Sequence, residues 1–270
     1  MTRIILFVFL LAGGLISCTR NALTGKSQLT LLPESQLQSM ALQEYTTFLS
    51  SSKVVSPSGN RDAEMVKRVG QRIVAAVNSY YQQHGISDQL QGYNWEYNLV
   101  NDPTVNAWCM PGGKIVVYTG LLPITQNEAA LAVVMGHEVS HALLQHGNQR
   151  MSQQMGAQAV QAGLQVALAN KPAATQSLFM SAFGAGTQLG VILPFSRKNE
   201  LEADDWGLKF AAMAGYNPQE AIPLWERMEK AGGGQKPPEF LSTHPSEGKR
   251  IEQLQKLMPE ALKYYKPVSK

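Results

Sequence analysis

The chain has 270 residues, 44% hydrophobic and 16% charged, enough to bury one good-sized domain or two small ones. A net charge of +3, with no Arg/Lys cluster interleaved with aromatics, excludes a nucleic-acid surface as the organising feature. Two cysteines, Cys18 and Cys109, exclude a fold stapled by several disulfides.

Residues 1–17 read as a leader. Arg3 gives a short positive region, and Ile4 to Leu15 is an apolar run too short for a comfortable membrane span. The run ends Leu15-Ile16-Ser17-Cys18, which resembles the lipobox of bacterial lipoproteins more than an ordinary signal peptide with a chance cysteine. That resemblance implies a lipid on Cys18. Thr19 after it, rather than Asp, resembles an outer-membrane address, so the expected location is the periplasmic side of a bacterial outer membrane. Cys109 would then have no partner and is expected to be a small buried residue, not a nucleophile.

Residues 18–60 are expected to be a lipidated tether and a first helix. Asn21 to Leu32 is the tether. The helix starts at Pro33-Glu34-Ser35 and runs to about Leu49. A second helix is predicted from Arg61 to Gln83, because Met65, Val66, Val69, Ile73, Val77 and Tyr80 keep helical spacing. It opens a domain placed at residues 61–265, ahead of a short tail at 266–270. The period then changes to two. Asn94 to Val100 and Lys114 to Thr119 read as strands, with Pro111-Gly112-Gly113 as the turn before the second. Thr125-Gln126-Asn127-Glu128 fits a capping box for a helix ending near Gly147. Met151 to Leu193 carries one charge, Lys171, and is broken by Pro172. It reads as a hairpin of two helices, and its scattered glutamines argue against a lipid-facing span. Further helices are predicted at Glu200 to Ala214, at Asn217-Pro218 to about Lys230, and at Glu247 to about Met258, before Pro259. The predicted class is α+β, mainly helical with one small sheet.

The chemistry concentrates at His137-Glu138-Val139-Ser140-His141. On a helix, residues four apart nearly eclipse, so His137 and His141 would present two imidazoles on one face as a clip for zinc. Glu138 sits one step round, placed to take a proton from an attacking water. A catalytic zinc wants a third protein ligand. His146 follows His137 by nine residues, about 900° of helix, so a continued helix would point it away. Its place would be a helix C-terminus, favoured by the macrodipole. The alternative lies in Arg197-Lys198-Asn199-Glu200-Leu201-Glu202-Ala203-Asp204-Asp205, where Glu200 and Asp204 share a helix face. Spacing alone does not separate a ligand pair there from an ordinary solvated acidic helix.

Four ordered blocks over roughly residues 60 to 256 resemble the HtpX-like gluzincin metallopeptidases, in particular their small periplasmic lipoprotein branch. They are Asn106-Ala107 with Pro111-Gly112-Gly113, the H-E-x-x-H at 137 to 141, Glu200-Leu201-Glu202-Ala203-Asp204, and His244-Pro245 with Arg250-Ile251. The resemblance implies a zincin-type fold and one zinc per chain, held by His137, His141 and Glu200, with Glu138 as general base. It implies a role for Asp204 behind the ligands, and places for His244 and Arg250 at the cleft, acting on the oxyanion or the substrate backbone. Substrate would lie along an edge strand, contacting Asn106, Ala107, Gly112, Gly113, Lys114, Ile115 and Val116. Trp108-Cys109-Met110 is bulkier than the small residues expected there.

The function implied is a zinc metalloendopeptidase that clears misfolded or misassembled envelope proteins, associated with the outer-membrane assembly machinery. A non-proteolytic chaperone or assembly factor that keeps the zinc is the alternative, and the intact Glu138 speaks against it.

Overall fold

The site is built around a helix buried on nearly all sides. The computed structural model describes residues 18–187, 193–232, 238–244 and 249–267. In chain order these form β1 (Cys18–Arg20), β2 (Ser27–Leu29), α1 (Glu34–Ser51), β3 (Val54–Val55), α2 (Arg61–Gln83), β4 (Glu96–Val100), β5 (Ala107–Met110) and β6 (Lys114–Tyr118). There follow α3 (Leu122–Thr125), α4 (Glu128–Leu143), α5 (His146–Leu168), α6 (Ala173–Thr187), α7 (Leu193–Met213), α8 (Ala221–Gly232), α9 (Glu239–Thr243) and α10 (Arg250–Leu262). The class is mainly helical with small sheets. The leader at 1–17, the Cys18 side chain, the loop at 233–237, Pro245 to Glu247 and the last residues of the tail lie outside the described residues.

Helix α2 forms because Val66, Val69, Ile73 and Val77 share one stripe and all are fully buried. Asn60 caps it, accepting from the Ala63 amide at 3.0 Å, and Gly85 leaves it at φ +67°. Helix α4 has no exposed face over Ala130 to Ser140, where every residue is buried, so it is a core helix. It packs against α2, α7 and β5.

Strand order is β3-β4-β6-β5, with β4 and β6 parallel and the other neighbours antiparallel. This corrects the expected substrate strand. β6 is paired on both sides, so its backbone has no free donors or acceptors for a peptide. Lys114, Ile115 and Val116 are buried, and the Lys114 ammonium donates to the Glu96 carboxylate at 2.7 Å. Gly112 and Gly113 hold the β5–β6 turn at φ +83° and +84°, and their carbonyls accept from the Asn94 and Glu96 amides. The sheet edge is β5 instead, because its outer side has no neighbour among the described residues.

Three predicted boundaries also move. The cap of α4 is Asn127, which accepts from the Ala130 amide at 2.8 Å, while the Thr125 hydroxyl turns back to the Leu122 carbonyl inside α3. Helix α4 stops at Leu143, not near Gly147, because Gln145 adopts φ +55° and starts a new axis. Pro259 does not end the last helix but lies inside α10, where the missing amide costs one intrahelical bond. The segment 21–32 docks on this frame: the Asn148 amide donates to the Leu32 carbonyl, and the Leu31 amide to the Ser152 hydroxyl. No described helix is long and apolar enough to cross a membrane.

Candidate metal centre

Helices α4 and α7 cross where both lack side chains, at Gly136 and Gly207. The close crossing brings Glu200 and Asp204 of α7 against His137 and His141 of α4. The Nε2 atoms of His137 and His141 face each other at 3.0 Å. The Glu200 carboxylate lies 3.3 Å from His137 Nε2 and 3.4 Å from His141 Nε2. His244, which follows α9, adds a third imidazole, with Nδ1 at 3.3 Å from His137 Nε2 and 3.1 Å from Glu200 Oε2. These four residues offer ligand atoms all within 4.8 Å of one another.

The donor set fits a divalent metal. Imidazole lone pairs and a carboxylate converge on one point, which a cation between them would satisfy. Charge points the same way. Glu138, Glu200 and Asp204 are buried together against a single guanidinium, Arg250. Imidazole with carboxylate suits zinc, and the cofactor is zinc. His137, His141 and Glu200 stand on long helices, whereas His244 follows the end of a five-residue helix.

Each group is tuned by what surrounds it. Burial opposes charge on His137, but hydrogen bonds to Asp204 and Glu200 outweigh it and raise its pKa to about 9. Burial also opposes ionisation of Glu200, yet the three imidazoles hold its pKa well below the usual carboxylate range. Asp204 is likewise lowered, because Arg250 and His137 overcome its burial. Burial pushes Glu138 up, with nearby His244 and His137 partly opposing; its Oε1 makes no hydrogen bond of good geometry but lies 3.3 Å from His244 Nε2. Burial drives the pKa of both His141 and His146 down, which favours their neutral forms.

A cleft of about 700 Å³ opens onto Glu138, His141, Glu200 and His244. The edge strand forms one wall, through Asn106 to Pro111, and the start of α5 and Ser196 to Glu200 form the other. Asn106 and Ala107 therefore line the cleft, with the Asn106 amide donating to Glu239 at 3.0 Å. Cys109 also lines it, and burial raises its thiol far above the usual value, so it stays protonated.

Arg250 is not at the cleft. It is only 1% exposed and lies beneath the ligands. It donates to Asp204 Oδ1 at 2.6 Å and to Glu200 Oε2 at 3.3 Å, and stacks on Trp225 at 3.8 Å. It aligns the carboxylates and does not reach a substrate. His146 was expected to point away, and instead its Nδ1 meets His141 Nδ1 at 2.9 Å. The continued-helix geometry failed because the chain turns at Gln145. Glu34 of α1 was not expected in the site. It lines the cleft with both carboxylate oxygens covered; neither makes a hydrogen bond of good geometry, and Asn148 is the polar side chain beside it. Nothing in its sequence context signals that, because the contact is made by a helix far away in the chain.

The family described as Peptidase family M48 matches residues 60–258. The chain is 39% identical over 187 residues to mitochondrial metalloendopeptidase OMA1 of Arabidopsis thaliana, which covers 68% of this chain and 36% of the relative. It is 38% identical over 207 residues to mitochondrial metalloendopeptidase OMA1 of Schizosaccharomyces pombe, covering 76% and 56%. It is 32% identical over 161 residues to the beta-barrel assembly-enhancing protease of Escherichia coli, covering 58% and 33%. The chain thus spans between about a third and just over half the length of these relatives. The relatives named as mitochondrial overturn the expected address of a lipid-anchored protein on a bacterial outer membrane, and with it the lipoprotein branch. What matches is the span that carries the edge strand, the H-E-x-x-H helix and the Glu200 helix, and on that match the chain belongs to peptidase family M48.

Proposed function

We propose that this chain is a zinc metalloendopeptidase that cuts unfolded or misassembled polypeptides bound in extended form. One observation carries the reading: the buried Glu138 carboxylate stands beside the four converging side chains of His137, His141, Glu200 and His244, at a cleft walled by a strand edge.

Zinc, held by His137, His141 and Glu200, would supply Lewis-acid polarisation of the scissile carbonyl and of a water. The rest is work for the chain. β5 has no neighbouring strand on its outer side among the described residues, so a substrate segment adds to the sheet there through main-chain hydrogen bonds. Such pairing selects segments free to extend, which is a property of unfolded chains. Glu138 takes the water's proton at Oε1 and delivers it to the leaving amine nitrogen. Its raised pKa makes it a stronger acceptor for that proton. His244 Nε2 lies 3.3 Å from Glu138 Oε1 at rest; displaced from there by substrate, it donates to the carbonyl oxygen as that oxygen becomes negative. Bringing substrate in requires His244 to move from its place among the donors, which its short helix permits. Asp204 and Arg250 keep His137 and Glu200 aligned.

The test is Glu138→Gln assayed on casein, with a metal-chelator control. The expected result is a loss of at least about 100-fold in cleavage, the scale of general-base catalysis, with zinc still bound. Equal cleavage by the variant overturns the mechanism. A wild-type protein that holds zinc and unfolded chains without cutting them would instead be a chaperone.

A further inference from the structure

Metal-binding histidines are oriented by whatever takes the proton on their second nitrogen. For His137 that partner is the Asp204 carboxylate, 2.9 Å from Nδ1. His141 has no carboxylate at that position. Its Nδ1 faces His146 Nδ1 at 2.9 Å, and His146 Nε2 lies 3.6 Å from Glu202 Oε2, an electrostatic contact longer than a hydrogen bond that leaves Nε2 with no other partner among the described residues. If His141 gives Nε2 to the metal, it carries its proton on Nδ1 and donates it to His146. His146 then carries its own proton on Nε2, facing Glu202. The two tautomers are consistent with each other and with the charges around them.

The surroundings hold this pair in place. The left-handed residue Gln145 turns the chain so that the first residue of α5 comes back over α4. The N-terminal hairpin locks the turn: Gln28 donates to Gln145 at 2.9 Å and accepts from Gln149 at 2.8 Å. Lys26, from the same hairpin, donates to Glu202 at 2.5 Å. His146 is only 4% exposed.

We propose that His146 is a positioning residue for the metal centre, holding His141 in its ligating tautomer and orientation, with Glu202 holding His146 in turn. The proposal rests on His141 being a metal ligand, as in the reading above, but not on the protein being a peptidase. The hairpin that clamps Glu202 and Gln145 lies outside residues 60–258, so this chain supports its metal site from beyond the family's matched span.

The experiment measures apparent zinc affinity of the full chain by competition with a chromophoric chelator, for wild type, His146→Leu, His146→Gln and Glu202→Gln. Loss of a group that orients a ligand weakens metal binding roughly 10- to 100-fold. His146→Leu should show that loss. His146→Gln keeps an acceptor for His141 and should recover most of the affinity, a rescue that packing alone would not give. Glu202→Gln should fall between wild type and His146→Leu. With saturating zinc, kcat on a peptide should fall more than KM rises. A folded His146→Leu that binds zinc like wild type overturns the proposal, and so does a His146→Gln no better than His146→Leu. If His146→Leu does not fold, Glu202→Gln decides, and unchanged affinity there counts against the proposal. Wild type that binds zinc without cutting casein sinks the peptidase reading and leaves this one standing. Undiminished zinc binding by His141→Ala removes the ligand on which this one depends.

Discussion

A Cβ on Gly136 would lie 2.7 Å from the Gly207 carbonyl oxygen, and a Cβ on Gly207 would lie 2.7 Å from the His137 amide nitrogen. The two missing methyl groups let α4 and α7 touch backbone to backbone, and that contact sets the gap between His137 and Glu200. Gly207→Ala must force the helices apart, because the atoms it meets are main chain and cannot turn away. Overpacking of this kind costs about 1–3 kcal/mol. Zinc affinity should fall together with thermal stability. Gly156→Ala, where nothing lies within 4 Å, serves as the control and should gain roughly 0.5–1 kcal/mol from helix propensity. Wild-type zinc affinity in Gly207→Ala would show that the crossing does not set the ligand geometry.

Arg250 is the one cation among three buried carboxylates. Removing it takes from Asp204 its nearest cation and from Glu200 one donor, so Arg250→Met should destabilise the fold by about 3–5 kcal/mol in a urea titration. Arg250→Lys should recover little, because one ammonium cannot span both carboxylates and stack on Trp225 as well. A lysine variant with wild-type stability would show that charge alone matters there.

The metal should be part of the fold's stability. Ligand binding to the native state adds about 4 kcal/mol when free zinc stands at 1,000 times its Kd. Chelation should therefore lower Tm, and re-added zinc should restore it in proportion to the logarithm of its concentration. His137→Ala should melt at the same temperature with or without chelator. A chelator effect that persists in that variant would place the stabilising metal elsewhere.

Asn127, not Thr125, caps the active-site helix. Asn127→Ala should cost about 1 kcal/mol, and Asn127→Ser should recover most of it by presenting a hydroxyl to the same amide. Equal melting of all three proteins would deny the cap.

Glu34 gives a pH dependence of known sign. Burial raises its pKa, with Asn148 partly opposing, so the folded protein holds the proton more tightly than the unfolded chain does. Its cost to stability is absent below the unfolded value of about 4.3, grows as pH rises past it, and is constant above the folded value. Glu34→Gln removes that cost. The variant should melt about 2–4 °C higher at pH 7.5, the shift of roughly 1 kcal/mol in a protein this size, and no higher at pH 4. A variant that is less stable at pH 7.5 would mean the carboxylate has a partner.

Local pattern was enough to read several parts from the sequence. Val66, Val69, Ile73 and Val77 announce α2, and the observed bounds match the expected ones, Arg61 to Gln83. His137 and His141 are neighbours in space because four residues span one helical turn, whatever lies around them. Boundaries set by a competing local contact were misread. Thr125 and Asn127 both suit a cap, and only the short α3 before them assigns the role.

The sequence by itself determined the periodic elements and the H-E-x-x-H clip, because both depend on spacings of about one helical turn or one strand repeat. Tertiary structure alone decided which strand is the edge, since Lys114 to Tyr118 reads the same with one neighbour or two. It alone placed Arg250 under the ligands and His146 beside His141. The first depends on a helix some fifty residues beyond Glu200, the second on one left-handed residue at Gln145 that no periodic rule foresees. The clip is local chemistry, whereas the carboxylates, the guanidinium and the second imidazole pair that complete it are products of close packing between distant segments.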